Sequence, residues 1–171
     1  MEKTDPPIRV MSVKQWHQLC SEGAELQVRI PVNGVSMQPL IRKNRDIVTL
    51  LPLRRVPERG DIVLFKRPGQ RVYVLHRLWR VEEGRVMTWG DNCPRPDGWM
   101  DRARVLGVAA AVERGKRTLR LDTAFARRTG LFLAHVRHAF CRIRQGAYAM
   151  AVRLPEPIRK ALKKLLRRGV R

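Results

Sequence analysis

A strand followed by a sharp turn is predicted by residues 26–40, Leu26-Gln27-Val28-Arg29-Ile30-Pro31-Val32-Asn33-Gly34-Val35-Ser36-Met37-Gln38-Pro39-Leu40. Apolar side chains occupy every second position from Leu26 to Val32, which is the period of a strand with one buried face. Asn33-Gly34 then ends the strand, because glycine permits backbone angles closed to other residues. Pro39 suits the first turn of a helix. We therefore expect Ser36 to lie in a turn between the strand and a short helical turn.

The Ser36 hydroxyl has two interpretations at this point. Serine before a helical turn is suited to capping the first backbone amides. Next to Gly34, where the backbone can approach a ligand closely, the same residue is suited to nucleophilic attack, with its own amide as part of an oxyanion hole. These residues alone leave both interpretations open.

Short apolar and β-branched runs, separated by turns rich in Gly, Pro and charged residues, continue the pattern along the chain. A capping box at Ser12 first opens a short helix that ends near Gly23. Strands are then predicted at 47–51, 62–65, 72–81, 86–89, 105–112 and 118–121. Residues 1–122 are therefore expected to form a mostly β domain, a barrel or a sandwich.

The period changes to three or four residues from Thr123 onward, so residues 123–171 are expected to form a helical extension. Whether its first helix, 129–154, packs on the β domain is left open. The second, 158–168, is amphipathic and basic, which favours a position in the plane of an anionic membrane. Its charged face consists of Arg159, Lys160, Lys163, Lys164, Arg167 and Arg168.

The charge balance points to an anionic partner for this extension. The 171 residues carry a net charge of +21. From Arg114 to the end there are 17 basic and 2 acidic residues, so +15 of that charge lies in the last third. Anionic lipid is the favoured partner; nucleic acid is less favoured because no aromatic residues are interleaved with the charges.

The cysteines and the apolar runs indicate a location. Cys20, Cys93 and Cys141 are odd in number and widely spaced, which is typical of a reducing compartment rather than a disulfide framework. We expect neither a signal peptide nor a transmembrane segment, because no apolar run is long enough. The expected location is cytoplasmic, or peripheral at the inner face of the membrane.

A serine nucleophile needs a base, and His76 is the best placed histidine. It shares the apolar face of the predicted strand 72–81, while Arg77 points away. Histidine has a pKa suited to taking a proton near neutrality, although a histidine on an apolar face is also consistent with a structural role. A base in turn needs an acid to orient it. Asp91, Asp97 and Asp101 follow in a region rich in Pro and Gly.

Taken in order, these segments resemble the type I signal peptidases and their S24/S26 peptidase relatives over roughly residues 26–112. The matching segments are Gly34-Val35-Ser36-Met37-Gln38-Pro39, Gly60-Asp61-Ile62-Val63-Leu64-Phe65, His76-Arg77, Gly90-Asp91-Asn92 with Asp97, and Arg104-Val105-Leu106-Gly107. Many members use lysine where this chain has His76. Histidine there resembles the archaeal and endoplasmic-reticulum variant, in which Ser, His and Asp act together.

The resemblance implies a fold, a reaction and a set of roles. The fold is the signal-peptidase β-barrel, and the reaction is peptide-bond hydrolysis through an acyl-enzyme, without a cofactor. Ser36 is the implied nucleophile, His76 the general base, Asp97 the residue that orients His76, and Asp91 a support for the loop. Gly34, Ser36 and Met37 are the implied oxyanion and substrate-binding residues.

The chain departs from that family in one respect. Signal peptidases are normally anchored by a transmembrane helix ahead of the nucleophile, and we expect no such helix here. A peptidase that trims a leader from a dedicated peptide fits this departure better than one that processes exported proteins. The alternative is a catalytically degenerate binding module of the same fold, whose basic tail binds anionic membrane or nucleic acid.

Overall fold

The computed structural model describes residues 8–9, 11–67, 69–70, 72–152 and 155–156. Within these residues the chain forms nine strands and two α-helices. They are β1 (Ile8–Arg9), α1 (Val13–Ser21), β2 (Gln27–Pro31), β3 (Ile47–Pro52), β4 (Ile62–Lys66), β5 (Tyr73–Glu82), β6 (Arg85–Trp89), β7 (Trp99–Asp101), β8 (Val105–Arg114), β9 (Arg117–Arg120) and α2 (Ala124–Val152). The mostly β prediction is confirmed.

All nine strands belong to one sheet, ordered β1-β2-β3-β8-β4-β5-β6-β7, with β9 paired to β8. Each pairing is antiparallel except that of β1 with β2. In the described part of the chain the two end strands do not pair with each other, so the expected barrel is not closed. These end strands are two and three residues long and offer few backbone groups for a closing ladder.

Helix α1 covers one face of the sheet and is fixed there by Trp16. The Ser12 capping box is present, which confirms the predicted start of this helix. The Trp16 side chain is fully buried, and its indole nitrogen donates a 2.7 Å hydrogen bond to the carbonyl of Leu26. Gly107 on β8 leaves the space that the indole occupies. Strand β2 therefore begins against a rigid packing contact.

The first half of α2 docks on the other end of the sheet. Arg127 forms ion pairs with Asp61 and Glu58, and the side chains of Ala134 and His138 are buried. The question whether this helix packs on the β domain is thus answered for residues 124–143. The predicted basic helix 158–168 lies outside the described residues.

The hydropathy of the helices was also compared with that of membrane spans. Among the described residues, neither helix combines the length and the apolar character that crossing a bilayer requires.

Candidate active site

The turn that carries Ser36 differs from the predicted one. The amide of Gln38 donates to the carbonyl of Val35 over 3.2 Å, but no helix follows. The Gln38–Pro39 peptide bond is cis, whereas a helical first turn was expected at Pro39. In the described part of the chain, no backbone amide donates a hydrogen bond to the Ser36 hydroxyl, so the capping interpretation finds no support.

A second loop, residues 90–93, is bound directly to this turn. The amide of Asn92 donates to the carbonyl of Ser36 over 2.7 Å, and its side-chain amide donates to the carbonyl of Val35 over 3.0 Å. Gly90 lies where the two segments meet. A Cβ atom on Gly90 would lie 2.9 Å from the Ser36 carbonyl oxygen, 2.8 Å from His76 Nε2 and 2.7 Å from Cys93 Sγ. Only glycine allows these groups to converge.

His76 is buried on β5 and is hydrogen-bonded to Asp97. Its Nδ1 lies 2.5 Å from Asp97 Oδ2, and the register of β5 with β4 pairs His76 with Val63. Alternation along β5 directs His76 to one face of the sheet and Arg77 to the other. The bond to Asp97 fixes the imidazole so that Nε2 points to the convergence of Ser36, Gly90 and Cys93.

Asp97 is held by three further contacts. The Thr88 hydroxyl donates to Oδ2 over 2.8 Å, Arg67 donates to Oδ1 over 2.6 Å, and the Asp97 amide donates to the Thr88 carbonyl over 2.9 Å. Both carboxylate oxygens are therefore occupied, and the position of Asp97 is set by the end of β6 and by the β4–β5 loop. Such a carboxylate can orient an imidazole and stabilise its charged form.

The charges of this pair depend on each other. Burial alone would lower the pKa of His76, but the hydrogen bond to Asp97, with a smaller contribution from Cys93, outweighs it and raises that pKa to about 9. Burial acts to raise the pKa of Asp97, yet the hydrogen bond and charge of His76 hold it below its usual range. The resting pair is thus an imidazolium beside a carboxylate at neutral pH.

Asp91 has a different partner. It receives two hydrogen bonds from the buried guanidinium of Arg77, at 2.9 and 2.7 Å, while Arg77 also donates to the carbonyl of Gly60 over 3.0 Å. A planar, bidentate pair of this kind fixes the start of the 90–93 loop on the sheet face opposite His76. In the structure, Asp91 therefore supports the loop and does not contact His76.

Cys93 is a neighbour of the site that sequence reasoning missed. Its Sγ lies 3.9 Å from His76 Nε2, and its carbonyl accepts a 2.9 Å hydrogen bond from the indole of Trp89. In the sequence, Cys93 was weighed only as one of three unpaired cysteines. Its position directly after Gly90-Asp91-Asn92 was the signal that could have placed it near Ser36.

Ser36, His76 and Cys93 line one cavity of about 600 Å³. Gly34 and Met37 line it as well, and the Met37 side chain extends from there into the core. Much of the remaining wall is apolar and is contributed by β2, the end of β4 and β5. No hydrogen bond joins the Ser36 hydroxyl to His76 within the described residues. The cavity thus offers a hydroxyl, a buried imidazole–carboxylate pair and an apolar wall to one bound molecule.

Metal binding was considered for the same residues. Among the residues that the structure describes, no three His, Cys, Asp or Glu side chains are grouped so that they could hold a metal ion.

The sequence matches no model of a known protein family, and no curated protein is significantly similar to it. The assignment of the site therefore rests on its geometry and on the sequence motifs.

Proposed function

We propose that this protein is a serine endopeptidase that cleaves a leader or signal-like peptide. The observation that carries the proposal is the buried His76–Asp97 pair, 2.5 Å apart, whose outer nitrogen faces the cavity that Ser36 lines. Serine becomes an effective nucleophile only when a base takes its proton, and a carboxylate is the usual group that orients such a base. The His76–Asp97 pair and the Ser36 hydroxyl bring these groups to one cavity, which supports the proposal.

The reaction begins with neutral His76. Its Nε2 takes the Ser36 hydroxyl proton as Oγ attacks the carbonyl carbon of the scissile peptide bond. His76 then gives the proton to the leaving nitrogen, and the C–N bond breaks to leave an ester on Ser36. Water then attacks the ester carbon as His76 takes its proton; the C–O bond to Ser36 breaks, and His76 returns the proton to Ser36 Oγ. The hydroxyl and the imidazole come within hydrogen-bond distance when substrate fills the cavity, since such contacts are often longer in the unliganded enzyme.

The substrate class follows from the resemblance and from the cavity wall. The apolar residues that line the cavity together with Ser36 include Ile30, Leu64, Val74 and Leu75. They suit an uncharged, apolar segment next to the scissile bond, as in a leader peptide. The basic tail 158–168 would hold the enzyme at the inner face of an anionic membrane, where such a peptide is encountered.

The degenerate binding module is the competing proposal, and a covalent probe separates the two. A fluorophosphonate phosphonylates an activated serine and displaces its fluoride, without any knowledge of the substrate. We expect the protein to be labelled at pH 9 and Ser36→Ala to be unlabelled while it folds like the original chain. Ser21→Ala, which removes an exposed hydroxyl on α1, is the matched control and should be labelled fully.

Cys93 provides a second comparison, because a thiol also lies beside His76. Cys93→Ala should still be labelled, with a pH dependence moved to lower pH, since the contact with Cys93 helps to raise the pKa of His76. A chain that the probe does not label at pH 9, or a folded Ser36→Ala chain that it still labels, would overturn the peptidase and favour the binding module.

A further inference from the structure

Helix α2 exposes a continuous apolar stripe on the side turned away from the sheet. With about 100° of rotation per residue, its members lie on one face of the helix within an arc of about 100°. Each of these side chains is more than half exposed. They are Phe125, Phe132, Leu133, Val136, Phe140 and Ile143.

The opposite face of the same helix is already occupied. Ala134 and His138 are buried, and His138 stacks on Trp89 with ring centroids 3.7 Å apart. Gly130 lies directly against the guanidinium of Arg77. The stripe is therefore not the packing face of the helix, and its apolar side chains have no partner within the described part of the chain.

The charge around the stripe has a single sign. The helix sequence contains five arginines and no aspartate or glutamate. Arg128 and Arg142 are exposed toward one side of the stripe. An apolar face with aromatic residues and a cationic border is the pattern of helices that lie in a lipid interface.

We propose that the exposed stripe of α2 docks on an anionic bilayer, with Phe132 and Phe140 inserted among the lipid chains and the arginines at the headgroups. A second copy of the chain is a poorer occupant, because each copy would bring a helix with five arginines and a net charge of +21 to the interface. In an anionic bilayer, by contrast, the acidic headgroups form ion pairs with the arginines, and the apolar interior of the bilayer covers the stripe.

This docking would fix the orientation of the cavity. Gly130 on α2 contacts Arg77, which points to the sheet face opposite His76. Because the stripe is on the side of α2 turned away from the sheet, a membrane bound to it would lie on the far side of α2 from β5. The inference concerns a different surface from the cavity and the tail, and it stands whether or not Ser36 is a nucleophile.

Vesicle sedimentation with the full-length protein tests the proposal. The probes are vesicles of pure phosphatidylcholine and vesicles that contain phosphatidylglycerol as well. We expect binding to the anionic vesicles to weaken by about tenfold or more in the double variant Phe132→Gln, Phe140→Gln, because two large apolar side chains no longer enter the lipid. Glutamine preserves helix propensity, and circular dichroism checks the fold.

The matched control removes two exposed apolar side chains elsewhere, Val56→Gln and Leu119→Gln, and should bind like the original chain. The tail 158–168 is unchanged in both variants. If the helix variant binds as tightly as the control, the tail alone carries the affinity and the proposal is wrong. Equal binding to neutral vesicles would also overturn it. So would a chain that does not bind vesicles but forms a dimer, if the helix variant is monomeric and the control variant stays dimeric.

Discussion

The imidazole of His76 is held in its charged form by its neighbours, and this has opposite effects on folding and on catalysis. The folded-state pKa of about 9 lies above the ordinary value of 6.5. The stability that this group contributes is therefore fully present below about pH 6.5 and is lost as the pH rises through about 9. A general base must be neutral, so reactivity of Ser36 should increase over the same interval in which that stability is lost.

The pH dependence of fluorophosphonate labelling should show this directly. We expect the second-order rate of labelling to rise with pH and to reach a plateau above about pH 9. Asp97→Asn should lower the plateau by between about a hundredfold and ten-thousandfold, because the imidazole loses its orienting carboxylate. The same variant should move the midpoint to lower pH, because the hydrogen bond that raises the pKa of His76 is gone.

Two readouts separate this from a merely structural effect of Asp97. A destabilised site would lose rate at every pH without a shift of the midpoint. An NMR titration of the His76 ring should give the same midpoint as the labelling rate. A midpoint near 6.5 in the original chain would contradict the coupling between His76 and Asp97.

At the scale of single residues, the sequence could predict only those site residues that belong to a recognisable motif. Ser36 and His76 were singled out from the residue pattern, and the family resemblance then chose Asp97 among three aspartates; the structure brings His76 and Asp97 into contact. The resemblance also gave Asp91 its supporting role, but its partner Arg77 lies fourteen residues away and is found only once β5 and the following loop are folded. Cys93 was missed, although it directly follows the Gly90-Asp91-Asn92 segment of the same motif.

The contact between α2 and β5 is the element-scale feature that supports the loop next to Ser36. Gly130 lies against the Arg77 guanidinium, which is fixed by Asp91 and by the carbonyl of Gly60. His138 donates a 3.2 Å hydrogen bond to the carbonyl of Gly90, and Arg137 donates to Asn92. One helix thus holds both ends of the 90–92 segment.

Two alanine substitutions on this helix should have opposite effects. Gly130→Ala should lower the free energy of unfolding by about 1–3 kcal/mol, because its Cβ would overlap the guanidinium of Arg77, which cannot move without leaving Asp91. Gly146→Ala meets no atom within 4 Å. It should raise the free energy by about 0.5–1 kcal/mol, since alanine is the better helix former.

Urea denaturation of both variants provides the measurement. If Gly130→Ala is as stable as Gly146→Ala, the helix is not in close contact with Arg77, and the proposed support of the 90–92 segment by α2 is wrong. The rescue variant is Gly130→Ala combined with Arg77→Met and Asp91→Leu. It should recover part of the stability, because the guanidinium no longer fills the space and no buried charge is left unpaired.

Helices and strands with a clear hydrophobic period could be predicted from the sequence. Strands that are defined only by their pairing with a neighbouring strand could not. The alternation of β2 and the capping box of α1 are local signals, and both elements were found. Strand β7, Trp99–Asp101, is three residues long and exists only because β6 lies beside it. The helical turn expected at Pro39 is absent, because proline suits other tight turns as well as the first turn of a helix.

For the molecule as a whole, the boundary at Asp122 separates two kinds of secondary structure, and several contacts cross it. Helix α2 covers Arg77 and stacks on Trp89, and Arg127 pairs with the buried carboxylate of Asp61. The charge of the last third had suggested an appendage whose task is binding. Its first helix instead packs against Arg77 and Trp89 at the edge of the site, a role that its periodicity alone could not reveal.

Two truncations should therefore behave differently. Ending the chain after Asp122 should lower the free energy of unfolding by about 3–5 kcal/mol, because the buried Arg77–Asp91 pair loses its cover and Asp61 loses Arg127. Fluorophosphonate labelling should fall with it, since the 90–92 segment is no longer held. Ending the chain after Val152 keeps these contacts, so thermal unfolding and labelling should match the full chain while binding to anionic vesicles weakens by loss of the tail. Equal stability of the two truncated chains would show that α2 is dispensable for the fold.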